Sequence, residues 1–430
     1  MTIIQNSVDW DAATSEATDI LSQYVRIDSS HPRGRTVDTA ALFAHHLARA
    51  GISYRIYESP AEGKVNLLAR LRSDEPQGKP LLLSNHMDVV PANAEDWRFP
   101  PFSGEVADGY VYGRGTLDDK GMGVMELLTL LLLKRQDIKL SRDVLMLCTC
   151  DEEIGSPMGA HWLVENHFAD LDPEFVLDEG GSGVHGFFSA GDAFEITVGE
   201  KLILRLRLIA HAEPGHASQP WPESATHRLV RAAHTILTQP PEDRDSPAVA
   251  EMLRRLGGDT ARREMAAHRA SAPLLHDTIS LTMLEGGYKI NVIPERAEMS
   301  FDCRLLPDTD PRAFVSNIEQ LVNDPGITFD VGWPDAAPAT APWDNPLFQA
   351  LESACRTHVP QAIVTPSLCV GGTDARYFRQ LGIPSYGLVP CLFTAEDLKG
   401  YHGLDERLAV HNLRLGMQII YDATCKVAAL

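Results

Sequence analysis

The sequence predicts an α/β fold: a large mixed sheet covered by helices on both faces, interrupted by a smaller inserted α+β domain. Three observations predict it. Through about the first 190 residues, apolar runs of strand character alternate with helical periodicities, as in sheets covered by helices. After Gly191 the runs become alternating and strand-like around amphipathic helices. A Pro-rich stretch, "APATAPW", then leads back to helices and strands of the first kind. At 430 residues a single core is unusual, which fits two domains. The expected division is 1–199 for the first part of the large domain, 200–333 for the insert and 334–430 for the second part.

The elements follow in order. Residues 14–28 carry apolar positions at Ile20, Leu21, Tyr24 and Val25 and read as a helix. "VDTAALFAHHLARAG", 37–51, is a second helix, stopped by Gly51. "NLLARLR" and "KPLLLSNHMDVVP" are strands, the latter broken at Pro91. "GYVYGRGTLDDKG" is a Gly-rich turn region that runs into an apolar helix over 121–134. "SRDVLMLCTC" is a strand, "MGAHWLVENHF" a helix, and "EFVLDEGG" a strand meeting glycines. "DAFEITVGEKLILRLRLIA" is strand-like and opens the insert. Within the insert, "SATHRLVRAAHTIL" is a helix and 240–269 reads as charged surface helices with loops. "TISLTMLEGG" and "AEMSFDCRLL" are paired strands around "YKINVIP", and "DPRAFVSNIEQLVN" is a helix. "NPLFQALESACRTH", "SYGLVPC" and "DERLAVHNLRLGMQIIYDAT" supply the last helices and strands. No internal repeat stands out.

Composition narrows the classes. The formal net charge of -21 and the lack of a dense Lys/Arg patch argue against a nucleic-acid-coating protein. The opening "MTIIQNSVDWDAATSEATDI" has no basic start followed by an apolar core, so no signal peptide is expected. "MELLTLLLLKRQDI" is too short to span a membrane and reads as a buried helix. The 7 cysteines are odd in number and mostly within apolar runs. Free thiols in a reducing compartment explain them better than a disulfide framework, and the cytoplasm is the expected location.

Five polar stations recur at the ends of such segments. His86 and Asp88 follow "PLLLSN"; Asp118 follows the glycines of "GRGTLDD"; Glu152 and Glu153 follow "VLMLCTC"; Asp178 closes "EFVL"; His402 lies in "YHGLDER". Ligands of open α/β sheets collect beyond the carboxyl ends of the strands, so distant segments can bring these groups together. Three adjacent carboxylates, Asp151 to Glu153, repel one another unless solvated or neutralised by a cation. Imidazole and carboxylate suit borderline metals such as zinc, and two histidines with three carboxylates can hold two ions with one carboxylate shared. In "HMD", alternation along a strand puts Asp88 on the same side as His86, where its carboxylate can orient the ring.

Taken together, "SNHMDVVP", "YGRGTLDDKG", "CTCDEEIGSPMG" and "FVLDEGG" resemble the metal-site motifs of the M20 family of zinc metallopeptidases. "GGTDARYF", "YHGLDER", "AEPGHASQP" and "YKINVIPERAEMSFDCRLLPD" extend the resemblance over about 80–430. The family includes aminoacylase-1, glutamate carboxypeptidases, acetylornithine deacetylase and the succinyl-diaminopimelate desuccinylase. The resemblance implies a ferredoxin-like insert that serves as lid and dimerisation domain. It implies that His86 and Asp178 hold one ion, that Glu153 and His402 hold the other, and that Asp118 bridges them. It implies a cis bond between Asp118 and Asp119, Glu152 as general base and Asp88 as the group orienting His86. His216 resembles the family histidine that steadies the oxyanion, often across a dimer interface. Asn291, Arg304 and Arg376 resemble groups near the substrate carboxylate, although Arg304 can equally pair with Asp302 or Asp308. Thr373 belongs to the "GGTD" turn beside the pocket.

The leading expectation is therefore a dinuclear hydrolase, with zinc ions or with cobalt or manganese in their place. It would cut the amide of a small carboxylate-bearing substrate, an N-acyl amino acid or short peptide. The alternatives are a deacetylase or desuccinylase of an amino-acid-biosynthesis intermediate, a non-catalytic metal-dependent binding protein, or a structural dimer module. No nucleic-acid or membrane partner is expected, and a homodimer through the insert is.

Overall fold

The computed structural model describes residues 8–334 and 339–430. The first seven residues of the opening read against a leader, and Ala337 and Pro338 of the connection, lie outside them.

The large domain is an eight-stranded mixed sheet. From edge to edge its strands are Ser53–Glu58, Val65–Leu71, Val144–Thr149, Leu81–His86, Phe175–Phe188, Ser385–Phe393, Gly191–Glu200 and Ile363–Cys369. Alternation along the inner strands decides both faces. Leu81, Leu83, Val144, Met146 and Cys148 enter the main core with helices Trp10–Val25, Val37–Arg49, Lys120–Arg135 and Val410–Ala428. Leu82, Leu145, Leu147 and Val176 point the other way, onto Leu163, Leu171 and Phe378 of helices Ala160–Leu171 and Ala375–Gln380. Side chains of successive strand residues face opposite ways, so near-continuous apolar runs are needed when both faces are covered. Helix Lys120–Arg135 is buried from Lys120 through Leu133, which is why it is apolar on every side.

The first helix begins at Trp10, four residues earlier than its apolar positions indicate, because Asp9 accepts the Ala12 N–H at 3.0 Å and caps it. The edge strand Ile363–Cys369 was not among the expected strands. Pro366 interrupts its pattern, and a proline is tolerated on a sheet edge, where no ladder donor is required. "DAFEITVGEKLILRLRLIA" is two strands in two sheets: Gly191–Glu200 ends in the large sheet, and Leu202–His211 begins the small one after Lys201.

The small sheet has strands Thr278–Gly286, Arg296–Leu305, Leu202–His211 and Ile327–Gly332, in that order, all neighbours antiparallel. With helices Ala225–Leu237 and Pro311–Val322 this is the split β-α-β arrangement of a ferredoxin-like domain. Leu204, Leu206 and Leu208 alternate into its own core with Met299, Phe301, Leu229 and Ile318. The stretch read as surface helices behaves differently. Helices Pro247–Leu256 and Asp259–Ala267 bury Val249, Met252, Leu256 and Met265 in the main core. The chain leaves the small domain after Leu237 and re-enters it at Thr278, so part of 200–333 packs as large domain.

What this positions is one end of the sheet. Leu81–His86 runs parallel to Val144–Thr149, with His86 opposite Thr149, and parallel to Phe175–Phe188, with Leu83 opposite Leu177. Their carboxyl ends therefore open side by side.

Candidate metal centre

His86 ends its strand fully buried, and its Nδ1 is 2.9 Å from the backbone carbonyl of Asp88. A carbonyl only accepts, so Nδ1 carries the proton and the lone pair of Nε2 points into the site. There Nε2 lies 2.8 Å from Asp118 Oδ1 and 3.6 Å from Glu179 Oε1. On the other side, His402 Nε2 lies 3.1 Å from Asp118 Oδ2 and 3.3 Å from Glu153 Oε2. These are two sets of candidate ligands, His86–Asp118–Glu179 and Asp118–Glu153–His402, and they share Asp118.

The residues fit a pair of ions. Ligand atoms about 2.1 Å from a tetrahedral ion lie about 3.4 Å from one another, and the four separations bracket that value. Asp118 gives one oxygen to each set. Glu153 Oε1 is buried with no hydrogen-bond partner among the described residues, an orphan that an ion would satisfy. As the sequence resemblance implies, the Asp118–Asp119 bond is cis.

Two expectations are corrected. Asp178 does not join His86; its neighbour Glu179 does. Adjacent residues on a strand face opposite ways, and Asp178 Oδ2 turns to accept the Ala375 N–H at 2.6 Å. Nor does the Asp88 carboxylate hold the His86 ring, from which it is 3.8 Å away. Its backbone carbonyl does that. Its oxygens instead accept the N–H groups of Glu152 and Glu153, each at 3.2 Å, and Oδ2 also meets His31 Nε2 at 2.8 Å.

The remaining stations are held by residues that local patterns do not reveal. Glu406 accepts the N–H of Gly115 at 3.0 Å, of Leu117 at 2.7 Å and of Asp118 at 3.3 Å, and it pairs with buried Arg114 at 2.5 Å. Gly115 sits at φ +88, where a Cβ would come 2.7 Å from Val89, so glycine alone lets this loop close on the Asp88 segment. Asp374 accepts from Thr149 at 2.7 Å and from Ser156, tying the end of the Glu152–Glu153 turn to the "GGTD" turn. Lys64 pairs with Asp151, the first of the three adjacent carboxylates.

Charge is concentrated here. Burial works against protonated His86, but Asp118 and Glu179 outweigh it and raise its pKa. Asp118 and Glu153 push His402 up to about 10. Burial raises Glu179, with Asp118 adding to it. Burial also raises Glu152, with Asp374, Asp118 and Asp88 adding to it against the opposing pull of His86. The Glu152 carboxylate has no hydrogen bond or ion pair among the described residues.

The expected substrate groups divide. His216 and Asn291 come together: Gly215–His216 pairs with Val292–Ile293, and Ala217 N–H donates to the Asn291 carbonyl at 3.1 Å. Both are exposed. Ser218 N–H donates to His216 Nδ1 at 3.2 Å, which leaves the ring proton of the neutral imidazole on Nε2. Arg376 faces the Glu152–Glu153 turn; a Cβ on Gly155 would lie 3.7 Å from its Nη2. Its guanidinium stacks on the Tyr377 ring at 4.7 Å and meets no carboxylate at ion-pair distance among the described residues. Arg304, by contrast, is clasped by Asp302 at 2.6 and 3.1 Å, the pairing open from the sequence. Thr373 gives its N–H and hydroxyl to Glu200 at 2.9 and 3.3 Å and so anchors its turn.

Comparison with known proteins places this arrangement. The model of peptidase family M20/M25/M40 matches residues 82–426. The chain is 27% identical over 442 residues to the N-fatty-acyl-amino acid synthase/hydrolase PM20D1 of Mus musculus, covering 95% of this chain and 87% of that protein. It is 28% identical over 395 residues to aminoacylase-1A of Rattus norvegicus, covering 90% of each. In fold it is similar to the M20 family metallo-carboxypeptidase Sso-CP2 of Sulfolobus solfataricus, with a TM-score of 0.76 at 20% identity over 96% of this chain and 98% of that one. It is also similar to the di-peptidase Dug1p of Saccharomyces cerevisiae, with a TM-score of 0.69 at 18% identity over 97% and 96%.

Proposed function

The chain belongs to peptidase family M20/M25/M40, and from that premise we propose that it is a dinuclear-metal hydrolase of a small amide, an N-acyl amino acid or short peptide bearing a free carboxylate. The observation that carries this is Asp118, whose two oxygens each face a different imidazole–carboxylate set. Two imidazoles and three carboxylates suit zinc, with cobalt or manganese as substitutes. The ions, when bound by His86, Asp118, Glu179, Glu153 and His402, would supply charge that polarises the amide carbonyl and acidifies water.

The chain's own residues do the rest. Glu152, unpartnered and raised by burial, takes the proton of the attacking water and returns it to the leaving nitrogen. His216 presents an Nε2–H that can donate to the oxyanion. Arg376, which makes no ion pair among the described residues, is suited to the substrate carboxylate. Relatives acting on N-acyl amino acids, by their names, favour an acylase over a long-peptide protease.

His216 is exposed on the small domain; Met283 and Leu284 of its edge strand Thr278–Gly286 are exposed, as are Tyr288 and Ile290 in the turn that follows it, Ile290 by 99%. Such an edge is a ready template for a second chain. A homodimer through it is the assembly we favour, with each copy lending His216 to the other. No described helix is long and apolar enough to cross a membrane. The 7 cysteines are free, which supports a reducing compartment such as the cytoplasm.

The test is a hydrolysis panel of N-acetyl and longer N-acyl amino acids, acetylornithine, succinyl-diaminopimelate and dipeptides, with zinc present. Wild type should turn over members of the first two groups. Glu152→Ala should lose at least about a hundredfold in kcat with its metal content unchanged. Wild-type turnover in that variant would overturn the assignment of the base.

A further inference from the structure

We propose that His31 is a positioning residue for this reaction: through Asp88 it fixes the turn that carries Glu152 and Glu153. The proposal rests on the amide-hydrolase reading above. His31 lies in "IDSSHPRG", far in sequence from every metal station.

The turn needs an external hold. It starts at Asp151, in the left-handed region at φ 65, and Glu152–Ile154 is a single 3-10 turn. The leading N–H groups of any helical turn have no acceptor within it, and the Asp151 side chain does not cap this one. Those of Glu152 and Glu153 go to the two oxygens of Asp88. Asp88 is fully buried, so its direction is set by whatever else binds it. That is His31, at 2.8 Å from Oδ2. A carboxylate only accepts, so Nε2 of His31 carries the donated proton. His31 thus shares Oδ2 with the amide of the metal-ligand candidate Glu153.

The ring is itself locked. Its segment runs parallel to the one bearing Asp88: His31 N–H donates to Val89 O at 3.1 Å, Val89 N–H to Ser29 O at 3.3 Å, and Ser29 Oγ to Met87 O at 2.6 Å. The ring lies over the bare backbone of Gly34, where a Cβ would come 2.7 Å from Cε1. The other acid in reach, Asp151, is 4.0 Å from Nε2 and is already paired with Lys64. His31 is therefore committed to Asp88. Groups hydrogen-bonded to a metal ligand typically alter metal affinity or activity by about 10- to 100-fold, and His31, acting one group further out through Asp88, is expected at the low end of that range.

The test compares His31→Ala, His31→Gln and Gly34→Ala. Gln retains an amide N–H that can reach Asp88; Gly34→Ala displaces the ring without removing it, and at φ +52 it also strains its own loop. In His31→Ala, kcat should fall at least about tenfold with KM within about twofold, and chelator competition should show one of the two ions held about tenfold more weakly. His31→Gln should recover most of both losses, and Gly34→Ala should reproduce them in part. Wild-type kcat and wild-type affinity for both ions in His31→Ala would overturn the proposal, as would a His31→Gln variant no better than His31→Ala. If His31→Ala fails to fold, His31→Leu, which fills the ring's space without a donor for Asp88, decides in the same way. A wild-type protein that hydrolyses nothing on the panel would sink the activity reading, and the metal affinities would still judge His31.

Discussion

Asp178 and Glu179 are adjacent, acidic and buried from bulk water, yet only Glu179 stands with His86. Sequence spacing located the station to within one residue and could not choose between them, because strand alternation gives opposite directions without saying which is inward. The same limit applied to Asp88, whose carboxylate serves the turn while its carbonyl serves the ring. Glu179→Ala should bind one ion in place of two, as counted by elemental analysis. Asp178→Asn should keep both, since its amide oxygen can still accept the Ala375 N–H. His402 gives a pH prediction. In chelated protein its pKa is raised to about 10, so below that pH it holds a proton between Asp118 and Glu153. An ion must displace that proton. Metal uptake at pH 8 should release protons into weakly buffered solution, and affinity should rise with pH; His402→Asn should release fewer.

At the scale of elements, the strands and the long helices were legible because apolar runs end where the polar stations begin. The loop supports were not. Glu406 and Arg114 are 292 residues apart in sequence, and nothing local in "LDER" marks a buried carboxylate. The strand Ile363–Cys369 hid behind Pro366. Glu406 receives N–H groups from three residues of the loop that presents Asp118, so this one side chain holds the element. Glu406→Ala leaves Arg114 buried without its partner. It should cost about 3–5 kcal/mol in denaturant unfolding, the usual effect of breaking a buried pair, and should weaken metal binding.

For the whole molecule, the alternation beginning at residue 202 announced the small domain, but not that the chain returns to the large core between 247 and 275. Charged, Ala-rich helices look exposed in sequence; here helix Pro247–Leu256 lies against the edge strand Ile363–Cys369 with its apolar side, and Asp259–Ala267 packs on that helix. The exposed edge of the small sheet predicts association. Sedimentation of wild type should give a dimer at micromolar concentration, and Leu284→Asp with Ile290→Asp should give a monomer with diminished turnover, since His216 would no longer reach a partner's site. The central claim, a pair of ions joined by Asp118, is tested most directly by counting. Chelated protein is titrated with cobalt and the bound ions are measured by equilibrium dialysis. The wild type should reach two per chain and Asp118→Asn no more than one. A wild type that saturates at one ion, with Asp118→Asn unchanged from it, would contradict the account.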